Sequence, residues 1–198
     1  MGFEYKLRAA RASDAPEIVR LLDVAAEGVL TFIWSNVRNP MSAPYDFGAR
    51  ECQQANSWCS YSNVIVAEEN SNVVGIMLSF PLPREVEDSD EPIYQHEILK
   101  PFYELEMLAT GTYYVDSLAI KETHRGMGIG RKLLEAAETK ALELGFDRLS
   151  LQVFEENTGA FRLYQELSFK EFSRYATVPH ACYSRTGDIL LLQKQIGG

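Results

Sequence analysis

A surplus of basic residues, long apolar runs and paired cysteines are all missing from this sequence. Its 198 residues carry 19 Lys and Arg against 28 Asp and Glu, a formal net charge of −9. The basic face with which a protein meets a phosphate backbone is therefore not expected, nor is a nucleic-acid partner. No apolar run approaches the ~18 residues of a membrane span. The opening MGFEYKLRAARASD lacks the apolar stretch of a secretory signal, and Lys6 stands where an N-myristoylation signal wants Ser or Thr. A cytoplasmic protein without a membrane partner is the expectation. Cys52, Cys59 and Cys182 are odd in number and form no C-x-x-C, which suits reduced thiols rather than a disulfide framework. His96, His124 and His180 have no metal-ligand spacing, so no metal site is expected.

What is present is an ordinary globular composition: 46% hydrophobic, 24% charged and 11% aromatic residues, with 13 Gly and 8 Pro. One domain over residues 1–198 is expected. The charge is uneven. Residues 82–111 hold Glu85, Glu87, Asp88, Asp90, Glu91, Glu97, Glu104 and Glu106 against Arg84 and Lys100, a net −6. The pattern predicts a strand at 5–10, then a helix capped by Ser13 or Asp14, with Pro16 in its first turn and Ile18, Leu21, Leu22 and Ala25 inward. A second helix is expected at about 26–36, and 49–58 has helical character. VIVAEE (64–69) and VVGIMLSF (73–80) read as an antiparallel hairpin around Asn70-Ser71-Asn72, ended by Pro81 and Pro83. A helix at about 93–109, kinked at Pro101, falls in the acidic insert. A strand at 112–120 follows. A helix at 129–144 then buries Ile129, Leu133, Ala137, Ala141 and Leu144 and ends at Gly145. A strand at 148–154, a helix at 157–167 and strands at 169–178 and 187–196 complete a mixed α/β domain without repeats or linker.

The informative segment runs from Leu118 to Lys132, LAIKETHRGMGIGRK, where three glycines alternate at a strand-to-helix turn. Glycine lets a backbone approach a ligand and aim its N–H groups one way. A helix N-terminus adds unpaired N–H groups and about half a positive charge, a seat for phosphate. Arg125, Arg131 and Lys132 add formal charge. The dinucleotide fingerprint G-x-G-x-x-G fails because Arg131 replaces the third glycine. The G-x-x-x-x-G-K-S/T pattern fails because no Gly-Lys-Ser or Gly-Lys-Thr occurs. Q/R-x-x-G-x-G/A fits, as Arg125-Gly126-Met127-Gly128-Ile129-Gly130.

Here the sequence resembles the GCN5-related N-acetyltransferase (GNAT) family, whose acetyl-CoA loop carries that pattern after its fourth strand. About thirty residues on, Asn157-Thr158-Gly159-Ala160-Phe161-Arg162-Leu163-Tyr164 is similar to the family's N-x-x-A-x-x-L/F-Y helix. Positions 157, 160 and 164 fall on one helical face. Ser168 departs from the glycine usual before Phe169, at a helix end where the left-handed conformation costs little. The resemblance implies a central mixed, mostly antiparallel sheet of six to seven strands, with flanking helices and a splay between strands 4 and 5. It also implies acetyl-CoA as acyl donor. Leu118, Ala119 and Ile120 would offer main-chain groups to the pantetheine arm, the Leu118 N–H polarising the thioester carbonyl. Residues Arg125, Gly126, Met127, Gly128, Ile129 and Gly130, with Arg131, would hold the pyrophosphate, Asn157 would bond the arm, and Tyr164 would protonate the CoA thiolate.

An amine resembling Lys, with a solution pKa near ~10.4, must lose a proton before attack. Asp116, on the same side of its strand as Tyr114 and Leu118, is the first candidate base; Glu106 and Glu104 are the second. The cysteines are expected to be inert. The acceptor would be a small-molecule or peptide amine, cationic because the insert is acidic, and a homodimer is the assembly envisaged. The alternative is a non-catalytic acyl-CoA-binding or sensing module of the same fold.

Overall fold

The computed structural model describes residues 4–38, 43–83, 96–185 and 187–197. Glu85, Glu87, Asp88, Asp90 and Glu91, and the first part of the helix expected at 93–109, lie outside the described residues. Chain contacts divide the molecule into two compact units, Met1–Ser79 with Ser117–Glu135 and Phe80–Asp116 with Ala136–Gly198.

In the first unit, β1 (Lys6–Ala9) pairs antiparallel with β2 (Val64–Glu69), from Lys6↔Glu68 to Ala9↔Ile65. Arg8 reaches Glu68 at 2.6 Å and Asp14 at 2.7 Å, and its guanidinium holds the Asp14 carboxyl below the usual carboxylate range. This pairing alters the expected cap. A 3-10 turn, Ala12–Asp14, precedes α1 (Ala15–Ala25); Asp14 stands at the N-cap as expected, but its carboxylate turns back to the Arg11 N–H at 2.7 Å instead of bonding the helix's own N–H groups. Pro16 sits in the first turn as expected, where its missing N–H is no loss. Ile18, Leu21 and Leu22 are buried, while Ala25 is half-buried.

The helix expected at 26–36 divides in two. Glu27 and Gly28, at φ 55° and 94°, break the chain before α2 (Val29–Phe32), which runs into a π-helical turn at Ile33–Arg38. α3 spans Pro44–Cys52, several residues earlier than the expected 49–58, because Pro44 opens its first turn. Asp23, buried on α1, ties these pieces together: it accepts from the Thr31 N–H and hydroxyl at 2.8 and 2.7 Å and from the Tyr45 hydroxyl at 2.9 Å. β3 (Asn72–Pro81) returns along β2 through Asn70 and Ser71, whose φ values of 48° and 67° suit the twist of a tight hairpin.

In the second unit, α4 (Lys100–Leu108) starts later than expected. Pro101 lies in its first turn and opens the helix rather than kinking it. β4 (Tyr113–Ile120) contributes Tyr113–Asp116 here and Ser117–Ile120 to the first unit. β5 (Arg148–Phe154) runs parallel to β4 and antiparallel to β7 (Asp188–Gln195), and β6 (Lys170–Ala176) pairs antiparallel with β7. α5 (Ile129–Glu143), which belongs to the first unit up to Glu135 and to the second from Ala136, buries Ile129, Leu133, Leu134, Ala137 and Ala141. Leu144 is 47% exposed, against expectation: the helix has ended at Glu143, and Gly145, at φ 79°, turns the chain away, so helical periodicity no longer aims this side chain. α6 covers Thr158–Glu166. Leu82, Leu105, Ala109, Tyr114, Phe154, Ile189 and Leu191 form a core cluster against which Phe80, Phe102 and Tyr183 pack.

The seven strands form one mixed sheet in the order β1-β2-β3-β4-β5-β7-β6. The β4–β5 pairing is short: Tyr113↔Leu149, Tyr114↔Ser150 and Val115↔Leu151, after which both strands continue outside that ladder. Buried Thr112 anchors its start, donating to the Ala109 carbonyl at 2.8 Å and sharing a hydrogen bond with the buried Ser150 hydroxyl. No helix among the described residues is long and apolar enough to cross a membrane.

Candidate functional site

The glycine turn belongs to the first unit. Main-chain geometry there requires glycine: Gly126 and Gly128 have φ of 75° and 79°, and an added Cβ at either would meet nothing within 4 Å. The requirement therefore comes from the left-handed backbone and not from crowding. Gly130 lies inside α5, whose N-terminus follows directly at Ile129. The turn is held from behind. Lys121 N–H donates to the Val74 carbonyl at 2.8 Å, Arg125 Nε donates to the Ile120 carbonyl at 3.2 Å, and His124 Nε2 lies 3.1 Å from Glu69. Gly75 on β3 has no room for a side chain, since a Cβ would lie 2.6 Å from Ile120 Cδ1. Sequence reasoning did not single out Gly75; a lone glycine within a β-rich apolar run was its signal. Of the expected phosphate-side charges, the Lys132 ammonium is held by Glu135 at 2.7 Å. Met127 is exposed and Ile129 is buried. Open space over two left-handed glycines at a helix N-terminus is a cradle that fits a pyrophosphate.

On β4 the side chains alternate. Val115, Ser117 and Ala119 are buried, whereas Asp116, Leu118 and Ile120 are half-buried on the opposite face.

The second unit holds the other candidates. Glu106, near the end of α4, is partly exposed. Burial first, and then the negative charge of Asp116, pushes its carboxyl up to about 7. Tyr114, buried on β4, feels the same two carboxylates and lies against the Gln152 amide; burial chiefly drives its phenol well above the usual range. Glu106, Asp116, Tyr114 and Gln152 thus form one polar cluster beside the rings of Phe102, Phe154 and Tyr183, whose centroids are 5.7–5.8 Å apart. Glu104 is not part of it. Two residues along a helix are about 200° apart, and Glu104 pairs with Lys100 at 3.7 Å. Gln152 was missed in the sequence; its signal was an uncharged polar residue inside the apolar strand RLSLQVF.

Asn157 is the N-cap of α6, its Oδ1 accepting from the Ala160 N–H at 3.2 Å. Tyr164 is buried and packs on Phe169 with centroids 5.8 Å apart. Burial raises its phenol above the usual range, so it keeps its proton throughout neutral pH. Ser168 adopts φ 69° at the helix end, the conformation expected of it. Burial also pushes the Cys52 thiol up to about 12, leaving it un-ionised. Among the described residues no group of three or more His, Cys, Asp or Glu could hold a metal ion.

Comparison with known proteins gives concordant matches. The family model described as "Acetyltransferase (GNAT) family" matches residues 32–169. An N-alpha-acetyltransferase of Sulfurisphaera tokodaii is 28% identical over 173 residues, 86% of this chain and 83% of the relative. N-alpha-acetyltransferase 40 of Saccharomyces cerevisiae is 28% identical over 175 residues, 83% of this chain and 55% of the relative, so the chain spans about half the length of that protein. In fold it is similar to a crystal structure of an acetyltransferase, at TM-score 0.66 and 24% identity over 97% of this chain and 100% of that one. It is also similar to yncA of Salmonella typhimurium, solved with acetyl-CoA, at TM-score 0.61 and 20% identity over 98% and 95% of the two chains.

Two outcomes follow from these geometries. Gly128→Val should force a β-branched residue into the left-handed region and re-aim the turn's N–H groups. Calorimetric affinity for acetyl-CoA should fall tenfold or more, about 1.4 kcal/mol, with an unchanged circular dichroism spectrum; equal affinity would show that the turn does not seat the phosphates. Glu106 binds its proton more tightly when folded than when unfolded, so folding loses stability as pH rises from about 4.5 through about 7. Glu106→Gln should therefore be more stable than the parent at pH 8, by about 2 kcal/mol, and should lose that advantage at pH 4. Denaturation midpoints at the two pH values measure this difference.

Proposed function

Because the chain belongs to the acetyltransferase (GNAT) family, we propose that it is an acetyl-CoA-dependent N-acetyltransferase, moving an acetyl group to a primary amine by direct attack on the thioester. The observation that carries this reading beyond mere cofactor binding is Glu106, a carboxyl near 7 beside Asp116. A group poised there exchanges protons at neutral pH, as a general base must.

Acetyl-CoA supplies the activated acetyl group. Backbone N–H groups of Gly126, Gly128 and Gly130, aided by Arg125 and Arg131, hold its pyrophosphate, and Met127 and Ile129 complete that turn. Leu118, Ala119 and Ile120 pair with its extended arm, and Asn157 bonds that arm. The Leu118 N–H stabilises the charge that grows on the carbonyl oxygen. Glu106 takes one proton from the amine, and Asp116 keeps Glu106 basic enough to do so. Glu106 passes that first proton to solvent, the net proton of the reaction. As the N–C bond forms and the C–S bond breaks, Glu106 takes the second proton that the nitrogen must lose, Tyr164 gives its proton to the sulfur, and the acetylated amine departs with one N–H. The second proton then passes from Glu106 through solvent to Tyr164, and the balance closes.

The acidic segment 82–111 supports a cationic acceptor, because net negative charge raises the local concentration of cations. A polyamine, an amino sugar, a peptide N-terminus and a Lys side chain all fit that description. Relatives named N-alpha-acetyltransferase, peptidyl-lysine N-acetyltransferase and spermine/spermidine N(1)-acetyltransferase support the same range.

The test is release of free CoA from acetyl-CoA with a panel of such amines. The parent should turn over at least one of them, with a rate that rises through pH 7. Tyr164→Phe keeps the ring and its packing on Phe169, so kcat should fall roughly 10²–10⁴-fold while the Kd for acetyl-CoA stays put. Tight acetyl-CoA binding with no CoA release from any amine would overturn the assignment, and a kcat within about twofold of the parent would remove Tyr164 from the mechanism.

A further inference from the structure

The glycine turn is fastened at one end and open at the other. Residues Glu122–His124 form a 3-10 turn in which the His124 N–H donates to the Lys121 carbonyl at 2.8 Å and the Arg125 N–H to the Glu122 carbonyl at 3.2 Å. Those bonds are local: they shape the turn without fixing where it stands. Lys121, where the turn begins, is anchored by its main chain to Val74 on β3. His124, two residues before Gly126, is anchored by its side chain to Glu69, the last residue of β2. Glu69 is itself set by the hairpin register, opposite Asn72.

Two ion pairs join this turn to other elements, and they are unequal. Lys121 Nζ meets Glu17 on α1 at 2.8 Å, but those side chains are 38% and 45% exposed, so water competes for both. His124 and Glu69 are 17% and 27% exposed, 3.1 Å apart. The imidazole is also held at its second nitrogen, since Nδ1 lies 2.7 Å from the Thr123 hydroxyl. A carboxylate oxygen only accepts, so Nε2 carries the hydrogen facing Glu69, while Nδ1 takes the hydroxyl hydrogen of Thr123 or gives its own. A ring tied at both nitrogens cannot rotate away. All of these residues lie in the first unit.

A glycine turn left to itself would have to be ordered by its ligand, and that ordering would be subtracted from affinity. We infer that His124 is a positioning residue for the cofactor: its bridge to Glu69 holds the turn, before any ligand arrives, in the shape that seats a pyrophosphate. This rests on the reading of the turn as the acetyl-CoA pyrophosphate seat and adds the side chain that orders it in advance. The role is specific to the pyrophosphate, because His124 precedes the left-handed glycines directly and is remote in sequence from Asn157 and Tyr164.

The two ring nitrogens can be replaced one at a time. Asn places its amide near Nδ1 and is too short to reach Glu69, whereas Gln places an N–H donor near Nε2 and keeps that link. The donors are acetyl-CoA and S-acetylpantetheine, which lacks the pyrophosphate, with an amine that the parent acetylates. In His124→Asn the calorimetric Kd for acetyl-CoA should rise about tenfold and kcat/KM for acetyl-CoA should fall to match. Its kcat at saturating acetyl-CoA and its kcat/KM for S-acetylpantetheine should both stay within about twofold of the parent. His124→Gln should bind acetyl-CoA within about threefold of the parent. Glu69→Ala should weaken binding as His124→Asn does, and the double variant should lose no more than either alone, because one contact is then removed only once. If His124→Asn and Glu69→Ala bind acetyl-CoA like the parent, or lose equally with both donors, the bridge serves only the fold and the inference is wrong. A parent without affinity for acetyl-CoA would overturn the pyrophosphate seat and this inference with it. A parent that binds acetyl-CoA but acetylates no amine would overturn the N-acetyltransferase reading alone, and the calorimetric comparison of the variants would still decide the role of His124.

Discussion

The parallel ladder between β4 and β5 is the constraint on which the second unit's polar cluster depends. It lasts three residue pairs and is anchored at its start by the buried Thr112–Ser150 hydroxyl pair. Within the ladder every position is occupied by backbone pairing and packed side chains. Beyond it, Asp116 and Gln152 are polar residues on strands that no longer pair with each other. Had the ladder run one pair further, Asp116 would be opposite Gln152 in a regular sheet and their side chains would be set by the pleat alone. Its early end lets the α4 carboxylate Glu106 and the Phe102 carbonyl enter the same neighbourhood.

That neighbourhood is poorly solvated. Burial, and secondarily the charge of Asp116, lift Glu106 toward neutrality, and burial chiefly lifts the Tyr114 phenol beyond reach of ionisation. The two effects have one origin, the desolvation of charge, with opposite uses. Glu106 becomes able to change charge at working pH, while Tyr114 becomes a permanently neutral neighbour. The cost is stability above pH 7, and the apolar cluster of Leu105, Phe154, Leu191 and their neighbours offsets it. The glycine turn in the first unit works on a different principle. Its shape is written in backbone angles, at Gly126 and Gly128, and in the absence of a side chain at Gly75 where Ile120 packs.

Much of this was legible in the amino-acid order. Strict two-residue alternation and dense β-branched runs located the strands at 64–69, 113–120 and 148–154 to within a residue, and helical periodicity located α5 and α6. The turn at Arg125–Gly130 and the Asn157–Tyr164 segment were readable because left-handed glycines and an N-capping Asn are local requirements, satisfied by neighbours in sequence. Boundaries went astray where a distant partner or a proline intervened. The Asp14 side chain turned from the helix it caps to Arg8, the 26–36 helix broke at Glu27 and Gly28, α3 moved to start at Pro44, and Pro101 opened α4 instead of bending it.

The sequence by itself determined the element types, the glycine turn and the family, since each depends on interactions between residues only a few positions apart. Only the tertiary structure decided which carboxylate changes charge near neutral pH, because burial depends on what α4, β4 and β5 jointly exclude from water. Glu104 and Glu106 look alike in the chain, yet one pairs with Lys100 at the surface and the other is desolvated beside Asp116. Gln152 was legible only as a polar residue in an apolar strand. Its fixed amide and unpartnered oxygen arise from residues 50 positions away in sequence, and a long-range contact of that kind leaves no mark on local pattern.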